Sequence, residues 1–115
     1  MEYINRIELQ GRIGHISSSL CSPMGSLRVY RFSLLTEDVL KTRDGHAFIE
    51  QTWHNVALAE KYPEELSWLE KGMMIHITGR LRNSKYINAN GEESRIGEVW
   101  ADDILIVKAN KGNAL

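Results

Sequence analysis

The feature that most narrows what this chain can become is a two-residue alternation of apolar and polar side chains, which recurs along most of its length. In "INRIELQGRI", residues 4–13, Ile7, Leu9, Gly11 and Ile13 point one way, while Arg6, Glu8, Gln10 and Arg12 point the other. That period is the mark of a half-buried strand, and Gly11 and Gly14 predict a bulge or strong bend in it. "LRVYRFSLL" (27–35) reads as a second strand and "AFIEQTWHNVAL" (47–58) as a third. The third puts Ile49, Gln51, Trp53 and Asn55 on one face, with Phe48, Glu50, Thr52, His54 and Val56 on the other. "MMIHITGRLRNSKYI" (73–87) is a long fourth strand with Ile75, Ile77, Gly79 and Leu81 on one face, and "RIGEVWADDILIV" (95–107) is the fifth.

Between the strands the chain carries turn chemistry. "SSSLCSPMGS" (17–26) is rich in Ser, Pro and Gly, "TEDVLKTRDGH" (36–46) reads as a polar loop with a turn at Asp44-Gly45, and "NANGEES" (88–94) reads as a hairpin with Asn90-Gly91 at its tip. One segment is helical: in "KYPEELSWLEKG", Pro63 suits the first turn and Gly72 the end, Glu64 and Glu65 suit the positive end of the helix dipole and Lys71 the negative end. The predicted order is β-β-β-α-β-β. An all-β chain of five strands with one helix between the third and fourth is the layout of the OB-fold, a small Greek-key barrel. It occupies residues 1–108, with 109–115 as a short polar tail.

At 115 residues the chain is of ordinary length for one domain, and 43% hydrophobic with 25% charged residues makes it globular rather than disordered. Cys21 is the single cysteine, so no intrachain disulfide forms, which fits a reducing compartment. The start, "MEYINRIELQ", lacks the pattern of a signal peptide, and "ILIV" at 104–107 is far too short to span a bilayer. A cytoplasmic location and no membrane partner are expected.

The net charge of −1 hides an uneven distribution. Residues 1–36 carry four basic and two acidic side chains, 37–71 four basic and eight acidic, and 72–100 four basic and three acidic. Local fields rather than totals attract a polyanion. In "GRLRNSKY", 79–86, Arg80, Arg82 and Lys85 cluster beside Tyr86. Cations next to an aromatic suit a single nucleic-acid strand, which has charged phosphates and flat bases. The alternative is a strand edge guarded by positive charge.

Four segments then occur in a familiar order: "NRIELQGRIG", "QTWHNVAL", "LEKGMMIHITGRLRNSKY" and "NGEESRIGEVWADDILIV". Together they resemble the bacterial single-stranded DNA-binding protein family over residues 3–107. The resemblance implies an OB-fold, a homotetramer with a dimer as the alternative, and non-catalytic binding of single-stranded DNA with little sequence preference, in replication, recombination or repair. It implies Trp53 and Tyr86 as stacking aromatics, and Arg82, Lys85, Lys61 and Lys71 as phosphate contacts. Arg80 and Arg12 join that cationic set, as do Lys41 and Arg43 in the loop where the family often adds an aromatic and a cation. His54 matches a histidine associated with subunit contacts. Three departures stand out. Val39 and Leu40 lie where a loop aromatic is common, and Ala59 where some members carry Phe. The sequence ends "KANKGNAL" without a long acidic tail, so recruitment of replication proteins through such a tip is not expected.

Other readings of the same residues stay open at this level. Trp53 is either a buried sheet aromatic or a stacking platform; its polar neighbours Gln51 and Asn55 argue for the platform. Trp100 reads as barrel surface or subunit contact, and Trp68 as helix packing. His15, His46, His54 and His76 lack metal-ligand spacing with one another or with Cys21, and Asp102-Asp103 has no third ligand, so no metal or cofactor is expected. No nucleophile–base order or phosphate loop marks an enzyme. The alternatives to strand binding are an OB-fold protein of the primosome type and an adaptor acting through protein contacts.

Overall fold

In a computed structural model of the chain, residues 2–17, 20–21, 28–60 and 69–108 are described. They form six strands: β1 (Ile7–Ile16), β2 (Leu20–Cys21), β3 (Arg28–Lys41), β4 (Ala47–Glu60), β5 (Met74–Ile87) and β6 (Glu93–Lys108). The sheet runs in the order β1-β5-β6-β4-β3-β2, and a further β1–β3 pairing closes it into a barrel. β1 achieves the closure by changing partner along its length. From Ile7 opposite Gly79 to Arg12 opposite Met74 it pairs with β5; from Arg12 opposite Leu35 to Ile16 opposite Phe32 it pairs with β3. The register slips between Ile13 and Ile16, around Gly14, as the glycine spacing predicts. Gly11 stands at the crossing itself, where a Cβ would collide with the Leu35 carbonyl oxygen. A short parallel contact, Val56 opposite Val99 and Ala57 opposite Trp100, joins β4 to β6. The result is a closed five-strand barrel with β2 as a small addition.

The inward faces fill the barrel. Ile13, Phe32, Leu34, Val56, Leu58, Met73, Ile75, Ile77 and Val99 form one buried cluster. Each such side chain withdrawn from water contributes about 1.5–3 kcal/mol, set against the entropy of ordering it. Alternation thus decides what faces out: Val56 is buried, while Trp53 on the other face of β4 is 57% exposed.

Several sequence expectations need correction. Residues 36–41 are not loop: β3 continues to Lys41, and the β3–β4 ladder runs unbroken from Arg28 opposite Glu60 to Lys41 opposite Ala47, leaving a turn only at 42–46. This outer part of the hairpin is exposed on both faces, so it shows no apolar period. The turn-rich stretch 17–26 contains β2, which pairs Leu20 with Val29 and Cys21 with Arg28. Leu81 does not join Ile75, Ile77 and Gly79 inside. The β5–β6 register shifts between Thr78 and Gly79, the hairpin leaves the barrel, and Leu81 is 48% exposed. The predicted helix falls on residues 61–68, which lie outside the described residues together with Pro63 and Trp68; Leu69 and Glu70 are irregular and Lys71–Gly72 form a turn. The polar tail also lies outside them.

Candidate nucleic-acid interface

Two long hairpins carry the candidate residues away from the barrel. On the β3–β4 hairpin, strand alternation puts Val39, Glu37, Leu35 and Ser33 on one side with their partners Ile49, Gln51, Trp53 and Asn55. Val39 and Ile49 are 66% and 63% exposed, and Gln51 donates to Glu37 at 2.8 Å. Trp53 rests against Gly14 and the residue is 57% exposed, so much of its side chain is open to solvent. A large aromatic held at its edge and open to solvent, with Gln51 and Asn55 on either side of it along the strand face, is a platform on which a planar group can stack. His54 points to the opposite side, half-buried, with its Nε2 2.8 Å from the Thr36 hydroxyl.

The β5–β6 hairpin carries the cationic cluster. Its turn is built by Asn88, whose side-chain oxygen accepts from the Asn90 and Glu92 amides, both at 2.9 Å, while Gly91 takes a φ of 80°. Arg80, Arg82 and Lys85 are all exposed. The Arg82 guanidinium lies over the Trp100 ring at 4.6 Å from its centroid, an attraction between a cation and the negative face of the indole. Trp100, read from the sequence as barrel surface or subunit contact, is partly exposed and carries this cation on its ring. Lys85 pairs with Glu93 at 3.5 Å, both largely in water. Tyr86 occupies the strand opposite Ser94, and its side chain lies outside the described part.

A cleft of about 520 Å³ separates the two hairpins. Its lining includes His15, Ser33 and Asn55 on the Trp53 side, and Ser84, Lys85 and Ile96 on the other. At its floor Glu98 is only 4% exposed, the one buried charged residue among those described. Arg31 Nε donates to Glu98 Oε2 at 2.7 Å, and the Ser84 hydroxyl donates to Oε1 at 2.6 Å. Burial by itself raises the Glu98 pKa; the hydrogen bonds from Arg31 and Ser84, with the Arg31 charge, outweigh it and hold the carboxyl below its usual value. The Trp100 indole N–H adds a weak pull on the same carboxylate, short of a hydrogen bond of sound geometry.

Of the predicted residues Lys85 lines the cleft; Trp53 lies on the β4 face that also carries the cleft residue Asn55, Arg82 lies over Trp100, and Arg80 is exposed on the β5–β6 hairpin. Lys41 and Arg43 stand apart, at the far end of the β3–β4 hairpin. Arg12 is turned to structure: its guanidinium donates to the Gly72 carbonyl at 2.9 Å, tying β1 to the turn before β5. Lys71 is exposed in that turn, and Lys61 lies outside the described residues. Sequence reasoning missed the cleft and its Arg31–Glu98 floor. Its only local signal was a lone carboxylate between Gly97 and Val99. Among the described residues no group of three or more His, Cys, Asp or Glu could hold a metal ion, and no helix is long and apolar enough to cross a membrane.

Comparison with known proteins agrees on one family. Residues 4–107 match the profile of the single-strand binding protein family. Over 112 residues the chain is 30% identical to single-stranded DNA-binding protein 1 of Streptococcus pyogenes, covering 96% of this chain and 84% of that protein. It is 26% identical to a single-stranded DNA-binding protein of Neisseria meningitidis, again over 96% of this chain, and spans only 64% of that relative's length. The fold is similar to that of a Plasmodium falciparum SSB solved in complex with ssDNA, with a TM-score of 0.79 and 23% identity over 94% of this chain and 98% of the other.

Proposed function

This chain belongs to the single-strand binding protein family, and we propose that it holds single-stranded DNA without catalysis, by base stacking and a cationic track for the phosphates. The observation that carries this reading is Trp53. The residue is 57% exposed on the outer face of β4, near a cleft that Lys85 lines from the β5–β6 hairpin, the hairpin that also carries Arg82. Bases stack on Trp53 and, on the same reading, on Tyr86. Arg80, Arg82 and Lys85 follow the backbone, with Lys41, Arg43, Lys61 and Lys71 extending the track. Arg82 is suited to this because its cation–π contact leaves the guanidinium N–H edge free to meet a phosphate. Arg12 gives one guanidinium nitrogen to the Gly72 carbonyl and adds its charge and remaining N–H groups to the cationic field.

Each domain of this size covers a short stretch of strand, so tight binding gains from several linked copies. The working unit in this reading is a homotetramer or dimer, with His54 near a subunit contact, acting in the cytoplasm during replication, recombination or repair. The deciding experiment is titration with oligo-dT, following tryptophan fluorescence at several salt concentrations. Each neutralised phosphate contributes about −0.7 to the slope of log K against log salt, so four to six contacts give roughly −3 to −4. Absence of quenching at low salt would leave the protein-adaptor reading in its place.

A further inference from the structure

Arg82 stands directly opposite Glu98 in the β5–β6 ladder, so the two side chains leave the sheet on the same face. Opposite charges in that position ordinarily attract each other into a pair. Here they do not pair. The Glu98 carboxylate is held by Arg31 on β3, whose Nε donates to Oε2 at 2.7 Å with a second nitrogen 3.5 Å from Oε1, and by the Ser84 hydroxyl, which donates to Oε1 at 2.6 Å. Only 5% of the Glu98 side chain is exposed, against 34% for Arg31. Arg82 is exposed and lies over the Trp100 ring instead, and among the described residues it takes part in no ion pair. Lys85 in the same cluster is less free, because it pairs with Glu93. A buried carboxylate left without a cation is strongly unfavourable. Two arginines flank this one, Arg31 from β3 and Arg82 from β5, and Arg31 holds it.

We propose that Arg31 is a positioning residue for strand binding: by taking up the charge of Glu98 it leaves Arg82 over Trp100 as an uncommitted cation for a phosphate. Arg31 does not meet the strand in this arrangement, since its guanidinium is committed to Glu98 and the two charges cancel. Without Arg31 the carboxylate draws the cation that faces it across the ladder. Arg82 then turns from Trp100 to Glu98, and the track loses a phosphate contact although the residue removed never touched one. The inference rests on single-strand binding by the β5–β6 hairpin, and names the residue that keeps Arg82 available for it.

The test is the salt dependence of oligo-dT binding by Arg31→Gln, which keeps a donor near Glu98 and loses the charge. The slope of log K against log salt is expected to fall in magnitude by about 0.7, one phosphate contact, as for Arg82→Ala itself. Two double variants separate this from a structural effect. Arg31→Gln added to Arg82→Ala should lower the slope no further. Arg31→Gln combined with Glu98→Gln, which removes the carboxylate charge as well, should restore the parent's slope. An unchanged slope in folded Arg31→Gln overturns the proposal. So does a loss that adds to that of Arg82→Ala and survives Glu98→Gln, which makes Arg31 a phosphate contact in its own right. If Arg31→Gln does not fold, the parent protein decides through NMR of its guanidinium Nε–H groups. On addition of oligo-dT the Arg82 signal should move and the Arg31 signal, held by Glu98, should not; movement at Arg31, or none at Arg82, overturns the proposal. In each of these cases single-strand binding by the parent still stands, whereas a parent that does not bind oligo-dT overturns both readings.

Discussion

The indole of Trp53 lies across the backbone of Gly14, so near that a methyl group on Gly14 would meet the ring Cη2 at 2.9 Å and the Ser33 hydroxyl at 2.8 Å. Where the exposed aromatic of β4 rests is therefore set by a missing side chain on β1, a strand with which β4 forms no ladder.

Gly14→Ala should move the ring rather than unfold the barrel, because what it meets is the far end of a side chain that can swing away. Oligo-dT affinity should fall by about 5-fold or more, the low end of what one stacked base contributes. Tryptophan emission should shift as the ring changes its surroundings. A variant with the parent's emission and affinity would show that this contact does not set the platform.

Gly11→Ala should behave in the opposite manner. There the obstacle is the Leu35 carbonyl oxygen, which belongs to the strand closing the barrel and cannot rotate away. The cost should be about 3 kcal/mol, the upper end of the overpacking range. Urea unfolding of both variants measures the difference; a Gly11→Ala midpoint equal to that of Gly14→Ala would contradict the closure geometry.

Trp53→Ala should weaken oligo-dT binding about 5- to 150-fold without changing its salt dependence, since no phosphate contact is lost. Lys85→Ala should do less to affinity at low salt yet reduce the magnitude of the slope by about 0.7. Arg82→Ala should reduce the slope by a similar amount and also uncover Trp100. Circular dichroism checks that each variant is folded. Identical salt slopes for the parent and both cation variants would remove these two residues from the phosphate track.

The Arg31–Glu98 pair predicts a pH effect of definite sign. Glu98 holds its proton less tightly when folded than the ordinary value of 4.5, so its contribution is present above that pH and fades as pH falls through the lowered folded value. Glu98→Gln should flatten this part of the stability profile. Arg31→Ala leaves the buried carboxylate without its cation and should cost about 2 kcal/mol, less than a fully buried pair because Arg31 is one-third exposed. Urea midpoints measured at intervals from neutral to acid pH check both.

Self-association gives a separate expectation. Light scattering at micromolar concentration should return the mass of a tetramer or a dimer, and a strictly monomeric mass would refute the assembly. His54 is half-buried against Thr36 within its own chain. His54→Ala should therefore cost about 1 kcal/mol of fold stability through that hydrogen bond, over and above any change in assembly.

The alternation of residues 4–13 and 47–58 was enough to group Ile13 with Ile7 and Leu9 and to set Val56 and Trp53 on opposite faces; the structure shows Val56 buried and Trp53 exposed. Which way a side chain points in a strand depends only on its neighbours in sequence. The Asn90-Gly91 turn was legible for the same local reason, and the order of the segments was enough to suggest the barrel and the family. Residues 36–41 escaped because a strand exposed on both faces has no apolar period to read. The cleft, the Arg31–Glu98 floor and the Arg82–Trp100 stack were beyond sequence reasoning. Arg31 and Glu98 are 67 positions apart, and each is an ordinary charged residue in its own segment. Local pattern determines which face of a strand is apolar. Which strands lie side by side, how far a hairpin projects, and whether a charge is buried or bathed depend on how β1 divides its pairing between β5 and β3. That division follows from packing the whole core at once, and only the tertiary structure decides it.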